Sequence, residues 1–166
     1  MSAIIRGRVW KYGDNINTDI ISPGQYMSLS IEKQAEHAME AIDPEFPKKI
    51  QPGDIIVAGD NFGSGSSRET APLVLKHLQV GAILGNFFAR IFYRNAINIG
   101  LPVVEMGDTS HIDEGDELEI NLLEGTVNNI TKGTNYDTTK LPEHLVEMVS
   151  LGGLEAYLAK RMGISS

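Results

Sequence analysis

Two short, unbroken apolar runs constrain this chain most: Ile55–Ala58 and Val80–Leu84. Neither alternates apolar with polar residues, so each reads as a strand covered on both faces, the habit of parallel sheets. Between them lies a helical pattern through Leu73, Val74, Leu75 and Leu78. After the second run, Phe87–Ile99 reads as a helix with Phe88, Ile91, Phe92 and Asn95 on one face. Gly100 suits the residue just past a helix end, and Pro102 prevents continuation, so Leu101–Met106 reads as a further strand. Strand–helix–strand alternation of this kind builds a parallel sheet with helices on its faces.

The flanks add mixed character. Ala3–Trp10 reads as a strand anchored by Ile5, Val9 and Trp10, and Tyr12–Gly24 reads as loop. Ser30 can cap a helix whose apolar positions are Ile31, Ala35, Ala38, Met39 and Ile42, ended by Asp43-Pro44. Glu117–Leu123 and Thr126–Thr131 flank Glu124-Gly125 as a hairpin. Leu141–Arg161 reads as one or two helices broken at Gly152-Gly153. The sum is an α/β fold with a mixed, partly parallel sheet flanked by helices, spanning residues 1–166 as one domain.

Composition removes several function classes. With 42% apolar and 22% charged residues, the chain is an ordinary globular one rather than a disordered or collagen-like one. The net charge of −8, with no basic stripe, argues against nucleic acid as a partner. No apolar run approaches ~18 residues, so no membrane span is expected. The start, Met1-Ser-Ala-Ile-Ile-Arg, lacks a secretory pattern, which makes the cytoplasm the expected compartment. There is no cysteine, so no disulfide, thiolate nucleophile or iron–sulfur cluster can be held by this chain alone. None of His37, His77, His111 and His144 has a histidine partner at metal-ligand spacing, so no metal is expected here.

The chemistry concentrates in Asp60-Asn61-Phe62-Gly63-Ser64-Gly65-Ser66-Ser67-Arg68-Glu69, between a buried strand and a helix. Ligand crevices in open α/β sheets lie beyond the carboxyl ends of strands. Glycines let the backbone bend and let a ligand come close. Two serines are expected at a helix start, where free N–H groups and about half a positive charge converge. Arg68 adds a fork of donors suited to a carboxylate or phosphate. The segment lacks the lysine of a P-loop, and no serine is centred in a G-x-S-x-G elbow. A purely structural alternative stays open, because Ser66-x-x-Glu69 also satisfies a capping box. Pro72 requires the helix to begin near Thr70 or to lose a backbone bond. Phe87, Phe88 and Phe92 read as core, and Arg90 and Arg94 as solvated or bridging residues.

Gly63-Ser-Gly-Ser-Ser-Arg-Glu-Thr-Ala-Pro72 and Asn86-Phe-Phe-Ala-Arg-Ile through Gly100-Leu-Pro102 resemble the small subunits of 3-isopropylmalate dehydratase, a family similar to the mobile C-terminal domain of aconitase. Asn17-Thr18-Asp19-Ile20-Ile21-Ser22-Pro23 matches too, as does Leu141-Pro142 through Gly152-Gly153-Leu154-Glu-Ala-Tyr157. The resemblance spans nearly the whole chain and implies an aconitase-like swivelling β/β/α domain. It implies a hydro-lyase whose 4Fe-4S cluster sits on a separate large subunit, in a heterodimer or heterotetramer. This chain, with no cysteine, then supplies half of an active site.

On the same resemblance, Ser66 is the catalytic base, and Ser67, with Arg68 as its charge partner, receives a substrate carboxylate, with Ser64 beside them. Asp19 resembles an aspartate that pairs with a histidine of the cluster-bearing chain; a simple Asx turn is the alternative. The loop Gln25-Tyr26-Met27-Ser28-Leu29 corresponds to the family's substrate-selecting loop. Relatives acting on tricarboxylic acids such as homoaconitate carry an arginine there. Here Ser28 is flanked by Met27 and Leu29, which suits an alkyl group and leaves a third carboxylate without a charge partner. The expected substrate is isopropylmalate, a hydroxy-dicarboxylic acid, with 2,3-dimethylmalate and homoaconitate as alternatives. Met27 and Leu29 as mere local core, and a non-catalytic anion-binding or regulatory module, remain competing readings.

Overall fold

The computed structural model describes residues 3–163. The expected span of 1–166 and the reading of the amino terminus therefore extend in part onto residues outside those described. One seven-stranded sheet organises the chain, in the order β4-β3-β2-β1-β5-β6-β7. Strands β1 (Ile4–Lys11), β2 (Ile55–Val57), β3 (Ala82–Gly85) and β4 (Val103–Glu105) pair in parallel, with Val9 opposite Ile55, Ile55 opposite Ala82 and Ile83 opposite Val103. On its other edge β1 runs antiparallel to β5 (Glu117–Asn121), and β6 (Thr126–Asn129) and β7 (Thr134–Asp137) continue as a meander. β2 and β3 are buried at every position, as their unbroken apolar sequence requires, whereas β5 alternates buried with partly exposed residues.

Helices cover the sheet. α1 (Thr18–Ile21), α2 (Ile31–Ala35) and α3 (Phe46–Lys49) lie between β1 and β2, α4 (Thr70–His77) and α5 (Arg90–Asn98) cross between the parallel strands, and α6 (Glu143–Ser150) and α7 (Leu154–Arg161) close the chain. One continuous apolar cluster joins them to the sheet, including Phe46, Phe62, Leu75, Ile83 and Leu101, all fully buried.

Several elements differ from the sequence reading. The loop after β1 contains α1, capped by the Asn17 side chain, which accepts from Ile20 N at 2.8 Å. Ser30 does cap α2, accepting from Lys33 N, but α2 ends at Ala35. Met39 stands at φ +62°, a left-handed backbone through which no helix continues, so Ala38 and Met39 are buried while Ile42 is 45% exposed. α5 begins at Arg90 rather than Phe87, because Phe62 and Phe88 form a strand-like bridge and Ala89 N donates to Phe62 O at 2.9 Å. That bridge turns Phe87 outward, to 46% exposure, so Phe87 is not core; Phe88 and Phe92 are. α3 and β7 were hidden in stretches with one large apolar residue each, Phe46 and Tyr136.

The antiparallel half is tied down by a buried carboxylate. Asp116 accepts from Asp113 N and from Asn129 Nδ2, both at 2.9 Å, and Lys132 Nζ lies 3.5 Å away. Burial works to raise the Asp116 pKa, but the Asp113 N–H, the Asn129 amide and the Lys132 ammonium together outweigh it and hold the carboxyl below its ordinary 3.8. A depressed carboxylate stabilises the fold above its unfolded pKa and loses that contribution as pH falls through the folded value. Asp116→Ala leaves the fully buried Asn129 amide short of a partner, so urea unfolding at pH 7 is expected to register a loss of about 2 kcal/mol. The gap between variant and parent should narrow as pH drops below 3.8. A gap that persists unchanged in acid would mean that the ionised form is not the stabilising one.

Candidate active site

Three loops leave the carboxyl ends of β1, β2 and β3 and meet at one edge of the sheet, where an open α/β fold receives its ligands. Backbone bonds stitch them together. Asn15 N donates to Asp60 O, Gly63 N to Ile16 O and Thr18 N to Ser64 O, each at 2.8 Å. The Asp14 carboxylate accepts from Asp60 N at 2.7 Å, and Asn86 Nδ2 donates to Asp60 Oδ1 at 2.7 Å.

Gly63 and Gly65 make the bend, at φ +84° and +98°. Gly63 also sits against Phe92, so that a Cβ there would lie 2.3 Å from the ring carbon Cγ. Past the bend, the Thr18 hydroxyl donates to the Ser66 carbonyl at 2.9 Å. Thr18 is 3% exposed, a buried polar residue committed to shaping this loop, and nothing in its own motif marks it for that task.

The result is a cleft of about 200 Å³ whose walls include Thr18, Gly65, Ser66, Ser67, Arg68 and Ile91. Ser66 and Ser67 are exposed, and neither hydroxyl bonds any described residue, so both are available to a ligand. Helical spacing had set Ile91 with the core residues Phe88 and Phe92, yet Ile91 is 56% exposed and forms the cleft's apolar wall. Ser64 lies at the bend, its carbonyl taken by Thr18 N, and does not line the cleft.

The helix start is not where the capping pattern put it. α4 begins at Thr70, and its cap, Glu69, makes no side-chain capping bond. The Ser66-x-x-Glu69 box does not form, and Thr18 instead holds Ser64 and Ser66 through their carbonyls. Pro72 falls in the first turn, where its missing N–H costs nothing. Ser66 therefore lies three residues before the cap, outside the first helical turn.

Arg68 takes over the electrostatics. Its Nη1 donates to Asp19 Oδ1 at 2.7 Å and to the Ser22 carbonyl at 3.0 Å. Asp19 Oδ1 also accepts from Gly24 N at 3.0 Å. The Arg68 bond first, then the Gly24 N–H, hold the Asp19 carboxyl below its ordinary value, so it is ionised at neutral pH. Asp19 thus joins the cleft arginine to the turn that starts the Gln25–Leu29 loop. Its side chain is 68% exposed, so the pair is screened, and it orients Arg68 more than it stabilises the fold.

Met27, Ser28 and Leu29 are exposed and do not line the cleft around Ser66. At 45% and 43% exposure, Met27 and Leu29 are not local core. A wider groove of about 800 Å³ runs along the amino ends of β3 and β4, beside Lys76, Gly81, Pro102 and Lys160. There Lys76 Nζ donates to Gly100 O, and Lys160 pairs with Glu147. Free hydroxyls beside a guanidinium occur at the smaller cleft, so that cleft is the candidate site. Among the described residues no group of three or more His, Cys, Asp or Glu could hold a metal ion, and the chain has no cysteine. The residues present do not fit an iron–sulfur cluster. No helix among the described residues is long and apolar enough to cross a membrane.

Fold and site together define an α/β domain that presents hydroxyls and a positioned guanidinium at the carboxyl ends of its parallel strands. Residues 3–109 match the aconitase C-terminal domain, and the chain belongs to that family, as its motifs had indicated. The isopropylmalate/citramalate isomerase small subunit of Methanocaldococcus jannaschii is 51% identical, covering 99% of both chains. The 3-isopropylmalate dehydratase small subunit of Nautilia profundicola is 52% identical over 96% of each. The methanogen homoaconitase small subunit of Methanothermobacter thermautotrophicus is 49% identical over 99% of this chain and 98% of its own. A crystal structure of a 3-isopropylmalate dehydratase from M. jannaschii superposes with a TM-score of 0.90 at 42% identity, covering 96% of this chain and 95% of that one.

Proposed function

We propose that this chain is the small subunit of a two-subunit hydro-lyase that interconverts 2-isopropylmalate and 3-isopropylmalate in leucine biosynthesis, and that it works in the cytoplasm. The observation that carries the reading is the free Ser66 hydroxyl beside Arg68 in a cleft at the carboxyl ends of the parallel strands. Ser66 takes the proton from the carbon next to a substrate carboxylate during dehydration and returns a proton during rehydration. Ser67 and the guanidinium of Arg68 hold that carboxylate, and Asp19 keeps the guanidinium in place.

A serine hydroxyl is a weak base, so the alkoxide must be stabilised when it forms. That task falls to Arg68, whose attraction for the alkoxide strengthens as the covered cleft loses water. The cover is the large subunit. Its 4Fe-4S cluster would supply the Lewis acid for the substrate hydroxyl, and this chain has no cysteine with which to hold such a cluster itself.

Residues 25–29 carry no cation, so a third carboxylate would be desolvated without a partner, whereas an alkyl group gains ~0.8 kcal/mol per buried CH₂. The homoaconitase relative makes a tricarboxylate the competing substrate. Reconstitution with the large subunit and a panel of 3-isopropylmalate, citramalate, 2,3-dimethylmalate and homoaconitate separates them. The expected result is a kcat/KM for isopropylmalate about 100-fold or more above that for homoaconitate. A preference for homoaconitate would refute the role given to Met27, Ser28 and Leu29.

A further inference from the structure

The turn that carries Met27, Ser28 and Leu29 is exposed, yet it is held by a specific pair of rings. Tyr26 stacks on His37 with centroids 3.7 Å apart and planes 11° from parallel. His37 Nδ1 lies 2.8 Å from Glu40 Oε2, a contact that fixes the imidazole plane. The platform beneath is rigid. His37 precedes Ala38 and Met39, both at 0% exposure, and Met39 N reaches the Ile21 carbonyl.

At its ends the turn is tied by Gly24 N to Asp19 and by the Leu29 carbonyl, which accepts from Gln34 Nε2 at 2.8 Å. Among the described residues, no side chain from 25 to 29 other than Tyr26 makes a hydrogen bond, ion pair or ring contact. From this we infer that His37 is a positioning residue for substrate selection: stacked on Tyr26 and locked by Glu40, it sets where the Met27–Leu29 loop stands relative to Arg68. The inference rests on the reading of that loop as the substrate selector.

The test uses His37→Ala and Tyr26→Ala beside the ring-keeping His37→Phe and Tyr26→Phe. Two quantities are measured: amide hydrogen exchange of residues 24–29 in the full chain, and kcat and KM for 3-isopropylmalate in the complex with the large subunit. The alanine variants should exchange faster at 24–29 with the melting temperature of the whole chain retained. Their KM should rise about two- to tenfold, the range an aromatic pair is worth, with kcat within about twofold. Tyr26→Phe should restore both readouts, and His37→Phe, which keeps the ring but loses the bond to Glu40, should restore them in part. Unchanged exchange at 24–29 in the alanine variants overturns the latch. Faster exchange with an unchanged KM overturns its link to substrate selection. If the parent complex turns over no alkylmalate, the proposed function is what fails, and exchange alone still decides whether the stack holds the turn.

Discussion

Ser66→Ala, combined with the large subunit, is expected to lower kcat about 10³-fold, within the range a positioned proton-transfer group contributes. The same variant should assemble and melt like the parent. Ser66 is exposed, its hydroxyl bonds no described residue, and the Thr18 contact uses the backbone carbonyl, which alanine keeps. Activity and folding are therefore separable at this position, which is rare for a residue in so tightly stitched a loop. Single-turnover kinetics on 3-isopropylmalate, with a melting curve alongside, reads both. Turnover at the parent's level would remove Ser66 from the chemistry and favour a non-catalytic anion-binding module.

Gly63→Ala carries the largest expected effect on stability. The backbone there stands at φ +84°, strained for any residue with a Cβ. The added carbon would lie 2.3 Å from Cγ of Phe92, which is 3% exposed and packs edge-on against Phe62 at 5.3 Å. Neither ring can retreat without opening the core, so strain and overpacking add to about 3 kcal/mol or more. That is a large share of the ~5–15 kcal/mol that holds a typical domain folded. Gly107→Ala is the control: its φ is +83°, but nothing lies within 4 Å, so the loss should be about 1 kcal/mol, from backbone strain alone. Urea denaturation of the pair measures the difference. Equal losses would mean that the contact with Phe92 yields easily.

The parallel half of the fold was legible because burial on both faces leaves a direct trace: Ile55–Ala58 and Val80–Leu84 contain no charged residue. The bend at residues 63–68 stood out as a candidate site for a similar reason, since glycines, serines and an arginine cluster directly after a buried strand. What sequence could not convey was geometry made by distant residues. Thr18 holds two carbonyls far along the chain just before α4, and local capping rules carry no term for that. Asp19 and Arg68 meet across 49 positions, and nothing in either motif names the other as its partner. Ile91 and Phe87 were misplaced because helical periodicity groups apolar residues without telling an inner wall from the rim of a cleft. The stack of Tyr26 on His37 had no sequence signal at all.

Strand β1 is the seam of the molecule, parallel to its neighbour on one side and antiparallel on the other. The match to the aconitase C-terminal domain stops at residue 109, before β5 begins. The hairpin tips around Glu124-Gly125 and Gly133 lie on the far flank of that seam from the Ser66 cleft. Length can therefore be gained or lost there without shifting Ser66 or Arg68.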